Sequence, residues 1–267
     1  MSEQENNPSA QGQGKKMDVY ADFPPEVKIR TKKMMMYLII FAVVMLFAGL
    51  TSIILVLNGK NYWVHVYPPK IMWLSNLLVV LSSTTLLLAL YNARRDRRGM
   101  TAALVVITFL LGIGFTITQT TGWKQLKSLG MGYTITEIEP GVRQWHWNSL
   151  DMMKGEYGVD YDIRKSGQVL ISENGELYLP TDVQREKPVT SRVAESFNTA
   201  GAMIAILVYL HIFHLCLGLI YLLVLTYRTL KGRIGSTNWI SLHAGGMYWH
   251  FMGILWVYLF FFLFYLQ

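Results

Sequence analysis

The sequence is short of charge and shorter of cysteine. Only 15% of its residues are charged and it holds a single cysteine, Cys216. One cysteine excludes a disulfide framework and a thiolate metal site within the chain. No Gly-rich phosphate loop, internal repeat or alternating ten-residue pattern occurs along the chain, and a membrane β-barrel would need the last of these. All 17 Asp and Glu residues fall outside the apolar blocks: in the first 33 residues, at Asp96, or between 122 and 196. Ion-coupled transporters keep carboxylates at membrane depth, where they mark the ion path. Their absence here, with no pair of Gly- or Pro-broken helices, argues against transport by this chain alone.

What is present is apolar sequence in long blocks, at 52% hydrophobic residues overall. Five blocks reach the roughly 20 residues that a helix needs to cross a bilayer: Met34–Leu57, Ile71–Tyr91, Met100–Thr121, Phe197–Tyr227 and His243–Leu266. Backbone polar groups in lipid must be satisfied within the segment, so each block reads as a helix. The expected fold is an all-α transmembrane bundle of five helices with a small β-rich extracytoplasmic insert. Residues 1–33 read as a disordered cytoplasmic tail, 34–121 as helices one to three, 122–196 as the insert and 197–267 as helices four and five. The polar start, with no apolar region after a short basic one, does not read as a cleavable signal peptide.

Basic residues set the orientation. Arg30, Lys32 and Lys33 precede the first block, Arg94, Arg95, Arg97 and Arg98 fill the second turn, and Arg228, Lys231 and Arg233 follow the fourth block. The positive-inside rule then places the N-terminus in the cytoplasm and the C-terminus and insert outside. The net charge of +7 follows from these flanks and needs no nucleic-acid partner.

The insert carries "SGQVLISENGELYLP", two strands joined by Asn174-Gly175, a pair that favours a type I′ hairpin turn. "YTITEIEPGVRQWHW" is a second β-like run with a turn at Pro140-Gly141. Nine Lys and Arg against eleven Asp and Glu leave the insert nearly balanced in charge. It is too small for a core of its own, so it either caps its own helices or docks against a neighbouring subunit or an electron-donor complex.

His211 and His214 are three apart and share one helix face. No Cys, Asp or Glu nearby completes a metal set, so two neutral histidines bonded to neighbouring helices or headgroups are the plain reading. A bis-histidine haem between His214 and His250 is the sharper alternative.

The last block reads "HAGGMYWHFMGILW". This resembles subunit III of the haem-copper respiratory oxidases, which reads Glu-Ala-Gly-x-x-Tyr-Trp-His-Phe-Val-Asp-x-x-Trp at this place. Ala244, Gly245, Tyr248, Trp249, His250, Phe251 and Trp256 match. The family's histidine pair, glycine, arginine and further basic residue fall on His211, His214, Gly218, Arg228 and Lys231. The chain resembles the five-helix forms, and departs from the family at three carboxylate positions, held here by Val43, His243 and Gly253. The resemblance implies a non-catalytic subunit with no redox centre and no catalytic residue. Haem and copper would lie in partner subunits I and II of a proton-pumping cytochrome c oxidase, or of a quinol oxidase. It further implies stabilisation of subunit I, support of oxygen access and proton uptake, and bound phospholipid. Arg228, His214, His211, His243, Trp249 and His250 are the candidate lipid contacts, Tyr248 and Trp249 standing near the membrane surface. The implied location is a bacterial inner membrane, N-terminus cytoplasmic and C-terminus periplasmic.

The charge pattern sets a test of orientation. In sealed right-side-out cells an impermeant thiol reagent should label a cysteine placed by Asn174→Cys and leave one placed by Gly99→Cys unlabelled; the reverse pattern inverts the topology.

Overall fold

The computed structural model describes residues 24–130, 133–139, 142–147, 150, 153–236 and 238–266, without the side chains of 25, 60, 133–147, 197–201 and 266. The first 23 residues, the Pro140-Gly141 turn and the Trp145, His146 and Trp147 side chains lie outside the described residues. Five helices are long and apolar enough to cross a membrane. They are α1 (Pro25–Lys60), α2 (Lys70–Arg94), α3 (Arg98–Ser128), α4 (Thr190–Leu230) and α5 (Ile240–Phe261). A π-helical turn, Phe262–Leu266, continues α5.

Helices α1 to α4 are each longer than their apolar blocks, and α5 starts three residues before its own. Helix α1 starts at Pro25, so residues 25–33, expected in the tail, are helical. Proline at the first helical position supplies a preset φ and loses no hydrogen bond, Glu26 suits the positive end of the helix dipole, and no breaker follows before Gly49. Helix α4 has 41 residues, about 61 Å at 1.5 Å per residue, roughly twice the hydrocarbon thickness. Ala202–Leu230 is its candidate membrane span among the described residues. The start of the helix, at Val189 and Thr190, is bonded to the insert.

Helix α5 is the centre of the bundle. It packs on α1, α2 and α4, while α3 packs on α2 and α4. Its apolar window is 61% buried, against 22–28% for the other four, which therefore present most of their surface to lipid or partners. Close approach is made by small residues. A Cβ on Gly112 of α3 would lie 2.9 Å from the Trp249 ring of α5, and one on Gly122 2.8 Å from Met72 of α2. Thr85 and Thr108 hydroxyls meet at 2.8 Å across α2 and α3, each also bonded back to its own helix. At the basic end, Asp96 accepts from the Ser236 backbone N–H at 3.2 Å and from Arg98 Nε at 3.3 Å, pinning the α2–α3 turn to the α4–α5 loop.

The strands form three small antiparallel groups at the other end. They are β1 (Tyr62–Val66), β2 (Tyr133–Glu139), β3 (Val142–Trp147), β4 (Tyr161–Lys165), β5 (Gln168–Val169), β6 (Ile171–Glu173) and β7 (Glu176–Tyr178). β2 pairs with β3 and β6 with β7. Asn174 and Gly175 both have positive φ, 52° and 82°, as a type I′ turn requires. The third sheet has the order β1-β4-β5. Its first strand comes from the short connection between α1 and α2, which reads as a plain loop in the sequence. Residues 62–66 pair with 165–161, and all five are buried. The signal was present: "YWVHV" is a run of aromatic and β-branched residues between Asn61 and Pro68.

The insert is thus anchored on its own chain. β7 is held to the start of α4 by Leu177 N–H donating to Thr190 Oγ1 at 3.0 Å, by Val189 N–H donating to the Leu177 carbonyl at 2.8 Å, and by Thr190 Oγ1 donating to Glu176. Arg185 pairs with Glu173 across the hairpin side.

The glycine packing sets a paired test. Gly114→Ala meets only Leu78 at ordinary contact, 3.7 Å, and gains helix propensity, so it should be neutral or mildly stabilising. Gly112→Ala forces the Trp249 ring to move and should cost about 1–3 kcal/mol. Unfolding of the two variants in mixed micelles compares them directly.

Candidate functional site

The motif residues of α5 converge on one junction. Trp249, expected near the membrane surface, is instead deep in the bundle at 3% exposure. It lies nine residues into α5, about 14 Å along the axis. An indole can be buried there because its one donor is satisfied: Trp249 Nε1 donates to Ser82 Oγ of α2 at 3.0 Å, and Ser82 Oγ donates onward to the Val79 carbonyl at 2.9 Å. Its ring lies over Gly112 of α3 and is 3.5 Å from where a Cβ of Gly218 of α4 would sit. One side chain therefore touches three other helices.

Tyr248 explains the spacing of the α4 motif. Its hydroxyl donates to the His214 backbone carbonyl at 3.0 Å. That carbonyl is four residues before Gly218, so it sits on the helix turn that Gly218 closes. A Cβ on Gly218 would be 3.2 Å from the Tyr248 ring, and its absence lets the phenol reach the backbone. Gly245 makes a matching allowance on α5, where a Cβ would strike the Tyr221 ring and lie 2.6 Å from Leu225.

The histidines divide. His214 Nδ1 bonds the Leu210 carbonyl of its own helix at 2.7 Å, and its ring meets the edge of Phe47 of α1 at 5.8 Å. His211 is 2% exposed and lies 5.1 Å from the Trp256 ring and 6.4 Å from Phe47. Neither of its ring nitrogens has a hydrogen-bond partner among the described residues, so the expected bonds to neighbouring helices are not made there. His211 and Trp249 are core residues and offer no surface to lipid, because both rings are enclosed by other helices. His250 and His243 are half-buried. His243 stands 5.5 Å from Trp239, and the Arg94 guanidinium lies over the Trp239 ring at 4.4 Å. Arg228 lies in the last turn of α4 and is partly exposed.

The positions where the resembling family keeps carboxylates are packed here. Val43 is buried in the bundle at 6% exposure. A Cβ on Gly253 would lie 3.1 Å from Val79 and 3.4 Å from Ser83 Oγ, so any side chain there would press on the Val79 side chain of α2. Among the described residues no group of three or more His, Cys, Asp or Glu comes together as a metal site. Cys216 is exposed on the outer face of α4.

A second polar centre, absent from the sequence reading, lies among the strands. Asp162 of β4 is 3% exposed and is held by Arg164 through Nε and Nη2 at 2.8 Å each and by the Tyr67 hydroxyl at 3.1 Å. His65 of β1 lies beside it, 4% exposed. Alternation puts His65 and Tyr67 on one face of β1, and register puts Asp162 directly opposite His65. No sequence motif marks these residues, since the two strands are about 95 residues apart.

The Ser82–Trp249 bond can be weighed by a double-mutant cycle. Ser82→Ala strands a buried indole N–H and should cost about 1–3 kcal/mol. With Trp249→Phe already in place the same change should cost much less, giving a coupling of about 0.5 kcal/mol or more in micellar unfolding.

Comparison with known proteins divides the chain. Residues 181–267 match the family described as cytochrome c oxidase subunit III. Residues 12–145 match the SCAMP family. A relative named cytochrome c oxidase subunit 3, from Alkalihalophilus pseudofirmus, is 41% identical over 54 residues, which is 20% of this chain and 26% of that protein. The aligned stretch therefore spans about a quarter of that relative's length. The Tyr248-Trp249 junction lies within the first match, and α2 and α3, on which Trp249 packs, lie within the second. By its match over residues 12–145, half of its length, the chain belongs with the SCAMP family, while residues 181–267 match the family described as cytochrome c oxidase subunit III.

Proposed function

We propose that the chain is a non-catalytic subunit III of a terminal oxidase in an aerobic respiratory membrane. The observation that carries this reading is the Tyr248-Trp249 junction. The residues that match the oxidase motif, Tyr248, Trp249, Gly218, His211 and His214, make contacts between helices. A motif that serves packing suits a subunit whose role is support. The match of residues 181–267 and the 41% identical relative support the same family. The SCAMP match covers α1 to α3, and the oxidase match covers α4 and α5.

In this reading haem, copper and oxygen chemistry belong to subunits I and II. The wide exposed apolar faces of α1 to α4 serve as contact surface for subunit I and for lipid, and the subunit supports oxygen access and proton uptake by holding subunit I in place. The inner membrane of a bacterium is the proposed location, the basic end of the bundle facing the cytoplasm. Phospholipid headgroups would meet Arg228, His243 with Arg94, His214 and His250 at partly exposed positions. Buried His211 and Trp249 hold the helices that frame those sites. Either a cytochrome c or a quinol donor is compatible with this role.

The reading is tested on the native complex. Affinity purification of the tagged chain from its own membranes should bring down larger subunits with stoichiometric haem and a reduced-minus-oxidised oxidase spectrum. The chain purified alone should show no Soret band. A stoichiometric Soret band on the isolated chain would make it a haem protein itself. Purification without any haem-bearing partner would favour a role tied to the SCAMP match.

A further inference from the structure

The strand cap meets the bundle at a joint built around His65. Its Nε2 lies 2.8 Å from the backbone carbonyl of Phe264, in the π-helical turn that ends α5. A carbonyl can only accept, so Nε2 carries the hydrogen and the neutral ring presents a bare lone pair at Nδ1. That lone pair faces Asp162 Oδ1 at 3.7 Å, too far for a hydrogen bond and with no proton to share. Nδ1 has no hydrogen-bond partner among the described residues. It is a buried basic nitrogen aimed at a buried carboxylate, and the one thing missing between them is a proton.

We propose that His65 is a proton-binding site that governs this joint: neutral, it holds the cap to α5; on taking a proton at Nδ1, it loosens the cap. The proton comes from solvent, reached past the Tyr67 ring, which is 41% exposed and 5.3 Å from the imidazole. Once Nδ1 carries hydrogen it can donate to Asp162 Oδ1, closing the gap by nearly 1 Å to hydrogen-bond length. That oxygen already accepts from Arg164 Nε at 2.8 Å. The imidazolium and the guanidinium then compete for one carboxylate, and two cations share a site that holds one anion. Arg164 and Asp162, both on β4, supply the charges that act on His65. The α4 helix and the π-helical turn, also packed here, supply none among the described residues.

The direction of the effect follows from the surroundings. Burial first, and Arg164 second, favour the neutral ring, while the Phe264 carbonyl and Asp162 favour the cation; the balance holds His65 below its ordinary value of 6.5. The folded state therefore binds its proton less readily than the unfolded chain. The stabilisation is complete above about pH 6.5 and is lost as pH falls below that toward the folded value.

Hydrogen exchange on the full chain, solubilised with its native partners, reads the joint directly. After correction for intrinsic rates, peptides covering 62–66 and 161–165 should lose protection between pH 7.5 and pH 5, up to about tenfold per pH unit across the window. Peptides from α2 and α3 should not change with them. His65→Gln keeps a donor for the Phe264 carbonyl and cannot titrate, so its cap should exchange at a pH-independent corrected rate. Asp162→Asn removes the charge that favours the cation, so its loss of protection should begin at a lower pH. A wild-type cap with flat protection overturns the proposal. So does a His65→Gln cap that loosens with acid as the wild type does, or an Asp162→Asn onset that stays where it was.

Discussion

The bundle depends on one constraint: an indole must be buried at membrane depth with its N–H satisfied. In lipid there is no hydrophobic force between helices, so association rests on close packing and a few interhelical hydrogen bonds. Trp249 supplies both. Its area fills the junction of α2, α3, α4 and α5, and its N–H finds Ser82. The surrounding choices follow from it. Gly112 and Gly218 are small because the ring lies on them, and Gly218 also opens the His214 carbonyl to Tyr248. A larger residue at either place would hold two helices apart along their length.

The second dependence is that of the strand cap on the helices. The insert has little core, and it folds by adding strands to β1, whose five buried residues come from the α1–α2 connection. Trp63 and Ile163, each 1% exposed, are the centre of what core there is. The His65 joint then ties that sheet to the end of α5. The central helix is held at the middle by Trp249 and at its last turn by the cap, through contacts of opposite character: one dry and fixed, the other polar and able to titrate.

Much of this was legible in the chain itself. The five spanning helices follow from block length alone, and the hairpin at Asn174-Gly175 follows from its turn chemistry. The Tyr-Trp-His-Phe block was legible as a motif but not as a geometry. Hydropathy places an aromatic near a helix end at the headgroups, and Trp249 lies deeper because glycines on two other helices leave a slot for it. The helix ends were read too short, since charged residues such as Lys28 and Arg30 stop an apolar block without stopping a helix. β1 went unread because a strand between two membrane helices has no local partner, and its partner lies about 95 residues away.

The sequence by itself determined that the chain carries five segments long and apolar enough to cross a membrane, which end of the bundle is basic, and that no carboxylate stands inside one of the apolar blocks. These are properties of local composition, and lipid enforces them residue by residue. The tertiary structure alone decided which histidines are enclosed, that Gly253 and Val43 occupy packed positions, and that His65 stands against Asp162. Those facts depend on which helix or strand lies next to which, and that is fixed by contacts between residues far apart in the chain, where the linear sequence carries no direct mark.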